Sequence, residues 1–109
     1  MNILIIKLGA IGDVIRTTSI ILGLKAKYKN CKIDWVTKKE SFDILKNNDL
    51  IDEIYTIDNS TINKIKREQY DFVICLDDDY QACELASRLN SKKIIGAYLE
   101  NNQITYTED

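Results

Sequence analysis

Two groups of side chains in this sequence could do chemistry, and the first is the stretch at residues 7–13. Lys7 and Asp13 flank two glycines there, Gly9 and Gly12. An apolar run precedes the stretch and a helical pattern follows it, which predicts a tight turn between a buried strand and a helix. The backbone N–H groups of such a turn can approach an anion. A carboxylate at its end could instead take a proton from a substrate hydroxyl.

The residue pattern allows two interpretations of the turn and two of Asp13. Aspartate often caps a helix, and the helical pattern begins directly after it. The same carboxylate could serve as a general base at the mouth of a cleft. The turn is either an anion cradle or a strand-to-helix connection with no ligand. Gly9 and Gly12 do not have the G-x-G-x-x-G spacing of dinucleotide sites, which argues against NAD or FAD.

The second group is Asp77, Asp78 and Asp79, which follow another apolar run. Clustered carboxylates suit Mg²⁺, whereas an aspartate before a helix also caps it, and we favour capping. The sequence has no histidine and no C-x-x-C pair among its three cysteines, so a zinc site lacks ligands. We predict no metal and no cofactor. The odd number of scattered cysteines indicates a reducing cytosol, with Cys75 a buried, inert thiol.

Composition limits the classes of protein that remain. The chain has 109 residues, of which 45% are hydrophobic and 29% are charged, typical of one globular domain. The net charge of −2, without a basic run, argues against nucleic-acid binding. No apolar run approaches the roughly 18 residues of a transmembrane helix. Lys7, Lys38 and Lys39 lie near predicted strand ends and could attract an anionic substrate, but we interpret them as solvated surface lysines.

Strand and helix patterns alternate, which predicts a parallel α/β sheet with right-handed crossovers. The predicted strands are residues 2–7, 32–37, 53–57, 72–76 and 93–97. The predicted helices are residues 14–28, 41–47 with Ser41 as N-cap, 61–68, and about 82–89. Residues 99–109 show no pattern and leave the fifth strand an open edge unless they or a partner cover it.

The relative polarity of the strands predicts their order. The first and fourth are apolar throughout and should be central, whereas the alternating third fits an edge. The doubly wound, Rossmann-like order 3-2-1-4-5 satisfies both conditions and places the topological switch between strands one and four. The turn at residues 9–13 should therefore share a crevice with Asp77, Asp78 and Asp79.

With these elements in place, the sequence resembles a known family. The first strand and the stretch from Lys7 to Val14 are similar to the start of the family 9 glycosyltransferases, the heptosyltransferases of lipopolysaccharide core synthesis. The likeness continues in order and covers nearly the whole chain. It recurs at residues 33–37, 50–54, 68–74 and 92–96.

The resemblance implies a GT-B enzyme with two Rossmann-like domains facing each other across a cleft. Residues 1–109 would be a single, partial acceptor-side domain from the N-terminal part, with the nucleotide-sugar domain absent from this chain. Asp13 would be the general base of an inverting transfer that needs no metal. The substrate would lie against the turn. The residues in question are Lys7, Gly9, Ala10, Ile11 and Gly12.

The expected function is therefore the acceptor-binding part of an inverting, heptosyltransferase-like enzyme. Its partners would be a nucleotide-sugar donor and a glycan or glycolipid acceptor. We expect a cytoplasmic location, with peripheral association at the inner face of the cytoplasmic membrane left open, and no activity from 109 residues alone. The alternative is a non-catalytic anion- or nucleotide-binding α/β module. A receiver-like signalling domain would need paired acids where Lys7 and Leu8 stand.

Overall fold

A sheet of six strands forms the centre of the protein in the computed structural model, which describes residues 1–9 and 11–107. Its order is β3-β2-β1-β4-β5-β6, with the first five strands parallel and the last antiparallel. The strands are β1 (Asn2–Ile6), β2 (Lys32–Thr37), β3 (Glu53–Thr56), β4 (Gln69–Cys75), β5 (Asn90–Glu100) and β6 (Gln103–Tyr106). The helices are α1 (Ile11–Thr17), α2 (Ser19–Lys27), α3 (Lys39–Leu45), α4 (Asn59–Lys66) and α5 (Tyr80–Arg88).

The central position of β1 follows from its residues. Ile3, Leu4, Ile5 and Ile6 are fully buried, because helices cover both faces of the strand. Ile3 and Ile5 pack in a core cluster with residues of α1, α2 and α3, whereas Leu4 and Ile6 pack with residues of α4 and α5. The doubly wound α/β prediction and the order 3-2-1-4-5 are confirmed. The switch between β1 and β4 lies directly at the glycine turn.

The chain after residue 98 differs from the prediction. β5 continues to Glu100, and β6 returns alongside it from Gln103. The two connecting residues, Asn101 and Asn102, have φ angles of 52° and 63°. Such left-handed angles are typical of two-residue hairpin turns, and asparagine tolerates them. A segment without a visible pattern thus covers the edge of β5.

The predicted single helix at residues 14–28 is wrong, because the structure divides it at Thr18 into α1 and α2. Hydroxyl side chains on both sides of the break bond to the backbone. Thr17 Oγ1 donates to the Val14 carbonyl at 2.7 Å, and Ser19 Oγ donates to the Arg16 carbonyl at 3.2 Å. Such bonds compete with the regular helical ladder, which explains why a run of three hydroxyl residues interrupts it.

Two smaller predictions about helices are also wrong. Leu22, which the apolar spacing of the predicted helix at residues 14–28 would place on its buried face, is 64% exposed, whereas the neighbouring Ile21 is fully buried. Ser41 is not an N-cap but a buried residue inside α3, which begins at Lys39. The cap position is Lys38, whose extended backbone ends the preceding loop.

Asp34 is a buried acid in β2, with only 2% of its surface exposed. Its Oδ2 accepts a hydrogen bond from Tyr70 Oη at 3.2 Å, and Lys32 Nζ lies 4.0 Å from Oδ1. Burial raises the pKa of the Asp34 carboxyl above its ordinary value, and Lys32 only partly opposes this effect. The ionised side chain therefore carries a cost in the folded state.

We expect Asp34→Asn to stabilise the protein at neutral pH, because the amide removes the buried charge from the folded state. Because the folded carboxyl has the higher pKa, wild-type stability falls as pH rises from about 4 through that pKa. The gain from the amide should therefore be present at pH 7 and shrink toward pH 4. Urea unfolding at both values measures it. Equal stability of Asp34→Asn and the wild type at pH 7 would contradict the conclusion that the buried charge of Asp34 destabilises the folded protein.

Candidate functional site

The glycine turn lies at the C-terminal edge of the sheet, where β1 and β4 end side by side. Ile6 and Cys75 are paired in register, and the Leu76 N–H donates to the Ile6 carbonyl at 2.9 Å. The loops that follow the two strands therefore meet. The predicted crevice between the turn and the fourth-strand loop is confirmed at Asp77.

Asp77 holds the start of the turn with both carboxylate oxygens. Oδ1 lies 2.6 Å from Lys7 Nζ, and Oδ2 accepts a short hydrogen bond from the Leu8 N–H. The ion pair is nearly buried, with Lys7 12% and Asp77 8% exposed. The interpretation of Lys7 as a solvated lysine is therefore wrong, whereas Lys38 and Lys39 are exposed as predicted.

The same contact changes how the turn can meet a ligand. A Cβ added to Gly9 would lie 3.3 Å from Asp77 Oδ1 and 3.3 Å from Lys7 Nζ. A carboxylate of the protein itself therefore fills the space beside this part of the turn and accepts from the Leu8 N–H. An external anion would have to displace it, so the anion-cradle interpretation loses one of its donors.

We expect Lys7→Met to destabilise the protein by about 2 kcal/mol, because it leaves the Asp77 carboxylate buried with one backbone donor. Lys46→Met is the matched control, since Lys46 pairs with Asp43 at 3.2 Å while both are exposed. Exposed pairs contribute about 0–1 kcal/mol. Urea unfolding compares the two variants. If Lys7→Met lowered the free energy of unfolding no more than Lys46→Met does, the Lys7–Asp77 pair would not hold the turn.

Asp13 lies inside α1 as its third residue, so the interpretation of this residue as an N-cap is wrong, while its role as a base stays a prediction. The helix begins earlier than the pattern indicated, at Ile11. An acid in this first turn still interacts favourably with the helix dipole. Its side chain is 49% exposed and forms a short ion pair with Arg16, one turn further along. The first turn of α1 thus presents a carboxylate that remains accessible to solvent.

The other predicted turn residues divide between described and undescribed parts of the chain. Gly12 is exposed, and a Cβ added to it would meet no atom within 4 Å. The backbone of Ile11 begins α1, while Ala10 lies outside the described residues. The space next to Gly12 and Asp13 is therefore open to an approaching molecule.

The three aspartates after β4 have three different roles. Asp77 is buried in the ion pair, and Asp78 is exposed and accepts from Tyr106 Oη at 3.3 Å. Asp79 caps α5 by accepting from the Ala82 N–H at 2.8 Å, which confirms the capping interpretation for this residue. Residues 1–9 and 11–107 contain no group of three or more acids or cysteines placed to hold a metal ion.

A cavity of about 390 Å³ opens beside the ion pair, where the ends of β1, β4 and β6 meet the middle of β5. Its lining includes the charged residues Lys7, Asp77 and Asp78 together with Gly96 and Tyr106. Sequence reasoning missed Tyr106, since it lies in the segment without a pattern. The only available signal was the Asn-Asn pair, which could have indicated a hairpin returning toward this edge.

Cys31, Cys75 and Cys83 are buried and free. Burial raises the pKa of the Cys75 thiol to about 12, which confirms the prediction of an inert thiol. Across residues 1–9 and 11–107, the model contains no helix with the length and apolar character needed to span a membrane.

No protein-family model matches the chain. In sequence it is 30% identical over 105 residues to lipopolysaccharide heptosyltransferase 3 of Escherichia coli K12, covering 84% of this chain and 30% of that protein. It is 37% identical over 57 residues to lipopolysaccharide heptosyltransferase 1 of Campylobacter coli, covering 52% of this chain and 17% of that protein. The chain spans at most about a third of the length of these curated relatives.

Solved structures share the fold. The E. coli heptosyltransferase WaaC with ADP superposes with a TM-score of 0.79 at 18% identity, over 88% of this chain and 35% of that one. A family 9 glycosyltransferase from Veillonella parvula gives 0.78 at 24% identity, over 89% and 31%. The resemblance predicted from the sequence is confirmed: the chain is similar in sequence to heptosyltransferases and has their fold over part of their length.

Proposed function

We propose that this chain is the acceptor-side part of an inverting glycosyltransferase that transfers a sugar from a nucleotide-sugar to a glycan or lipopolysaccharide-type acceptor. One observation carries the proposal. An accessible carboxylate, Asp13, follows a glycine turn at the β1–β4 switch of a fold shared with heptosyltransferases. Ligands of open α/β sheets bind at such switch points. The donor domain would lie on the rest of a longer polypeptide.

In the proposed reaction, Asp13 takes the proton of an acceptor hydroxyl. The freed oxygen attacks the anomeric carbon of the donor, the bond to the nucleoside diphosphate breaks, and the configuration inverts. Arg16 orients the carboxylate through its ion pair. The acceptor would lie against Lys7 and the turn at residues 9–12, and Asp77 fixes the start of this turn.

The names of the relatives suggest the first substrates to test. They are lipopolysaccharide heptosyltransferases, and one solved neighbour contains ADP-2-deoxy-2-fluoro heptose. We therefore choose ADP-activated heptose as donor and a lipopolysaccharide core glycolipid as acceptor. We also propose a cytoplasmic location at the inner face of the cytoplasmic membrane, where a glycolipid acceptor would be presented. Three free, buried cysteines support a reducing compartment.

The test mixes the longer polypeptide with this donor and acceptor and measures ADP release and the mass of the product. We expect one added sugar per acceptor, with an inverted anomeric centre by NMR, and no turnover by residues 1–109 alone. Transfer with retention of configuration would overturn the mechanism. Absence of transfer to core glycolipids would overturn the acceptor class.

The alternative of a non-catalytic anion- or nucleotide-binding module makes a different prediction. It requires that residues 1–109 alone bind ADP or phosphate at the turn, which calorimetry can measure. The Asp77 carboxylate already accepts from the Leu8 N–H and weighs against this alternative. Binding that is lost when Gly9 is replaced would favour the module.

A further inference from the structure

We infer that the cavity beside the Lys7–Asp77 pair is a subsite for an uncharged polyol, the sugar ring next to the attacking acceptor hydroxyl. The identification of this ring with the acceptor rests on the proposed function, whereas the binding itself does not. The cavity has a volume of about 390 Å³, at the small end of the ~300–1,000 Å³ range of ligand pockets. It adjoins the glycine turn through Lys7 and Asp77.

The Lys7 ammonium has capacity for a ligand oxygen. It carries three donors, and the structure assigns two of them, to Asp77 Oδ1 at 2.6 Å and to the Leu76 carbonyl at 3.4 Å. Within residues 1–9 and 11–107 the third has no protein acceptor. Because the side chain is only 12% exposed, bulk water reaches it poorly. A hydroxyl or ring oxygen in the cavity would satisfy this donor.

The rim of the cavity provides the complementary acceptor and an aromatic surface. Asp78 is exposed, and among the contacts of the described residues its Oδ2 accepts a hydrogen bond from Tyr106 Oη at 3.3 Å while its Oδ1 accepts none. Its other oxygen can accept from a sugar hydroxyl, as carboxylates accept at several lone-pair positions. Tyr106 is 60% exposed and offers its ring to the C–H face of a sugar while its hydroxyl stays bonded.

The charges of the lining select against anions. Asp77 and Asp78 place two carboxylates at the cavity against the single ammonium of Lys7, which the Asp77 contact already compensates. A phosphate or carboxylate would meet net negative charge in a partly desolvated site. A neutral polyol can both donate to Asp78 and accept from Lys7. Hydroxyl recognition therefore replaces the attraction of an anionic substrate, which the sequence had left as the alternative to a solvated Lys7.

The test is an NMR titration of ¹⁵N-labelled chain with three probes: a neutral methyl hexoside, the matching hexose 6-phosphate and inorganic phosphate. The neutral glycoside should shift the amide signals of Gly96, Ala97 and Tyr106 and saturate in the millimolar range. The two phosphates should leave these signals in place. Asp78→Asn should weaken glycoside binding by about tenfold, because it removes a charged acceptor. Asp43→Asn, an exposed acid on α3, is the matched control and should change nothing.

Either of two results would overturn the subsite. The first is that the amide signals do not shift at about 100 mM glycoside, a concentration far above the dissociation constant of weak binding. The second is that the two phosphates shift these signals as much as the glycoside does. Failure of the proposed function would look different. If the Asp13→Asn enzyme kept its transfer activity, Asp13 would not be the base, but glycoside binding in the cavity would be unaffected. If the chain failed to bind the glycoside while the longer transferase still transferred sugar to core glycolipids, only the subsite proposal would be wrong and the proposed function would stand.

Discussion

Replacing Asp13 by Asn lowers the turnover of the longer transferase by about 10²–10⁴-fold, the range that a positioned general base contributes. An amide has the size of the carboxylate but cannot take the proton of the acceptor hydroxyl. The acceptor KM should change little, because the hydroxyl still finds a hydrogen-bond partner. Thermal unfolding should also change little, since Asp13 is half exposed and its pair with Arg16 is an exposed i,i+3 contact.

The chain offers a closely matched control for this experiment. Asp43 forms the same i,i+3 ion pair, with Lys46, on another helix and is 83% exposed. Asp43→Asn makes the same chemical change outside the glycine turn and outside the lining of the cavity beside the Lys7–Asp77 pair, and it should leave turnover unaltered. Near wild-type turnover by a normally folded Asp13→Asn enzyme would remove Asp13 as the base. A drop in turnover accompanied by an equal loss of stability would indicate a structural role instead.

The central part of the fold could be predicted because burial leaves a direct trace in the sequence. A strand covered on both faces must be apolar at consecutive positions, as in β1, whereas an edge strand alternates, as in β3. These two constraints were sufficient to order five strands and to place the switch at the turn. They act on many residues at once, so small errors in element boundaries did not affect the result.

The elements that escaped prediction are held by single contacts rather than by patterns. β6 is mostly exposed and owes its position to backbone pairing with β5 and to the turn at Asn101 and Asn102. The break at Thr18 depends on two hydroxyl-to-carbonyl bonds made by Thr17 and Ser19. Neither β6 nor the break at Thr18 alters the spacing of apolar residues enough to be predicted from that spacing.

The candidate site shows the same division. The strand order brought Asp77 to the turn, but its partner depends on the register that sets Ile6 opposite Cys75. A lysine directly after β1 and an aspartate shortly after β4 could have suggested an ion pair, because both strands end at one edge. The burial of the pair could not be predicted from the sequence, because the exposure of a charge depends on all the residues packed around it.

Gly96→Ala is expected to have the largest effect on folding, a loss of at least about 3 kcal/mol. Gly96 has φ of +100°, a conformation that residues with a Cβ rarely adopt. An added Cβ would also lie 2.0 Å from the Cys75 carbonyl oxygen on the neighbouring strand. Relief requires β5 to move away from β4, which disturbs the hydrogen bonds between Gly96 and Thr107, the residue that directly follows β6.

Gly23→Ala separates this clash from the general effect of replacing glycine by alanine. Gly23 lies inside α2, and a Cβ there would meet no atom within 4 Å. Alanine should stabilise that helix by about 0.5–1 kcal/mol, so the same substitution has opposite signs at the two positions. Urea unfolding of both variants measures the difference. A Gly96→Ala protein as stable as the wild type would mean that β4 and β5 can separate freely, and the cavity wall between Cys75 and Gly96 would then not be fixed.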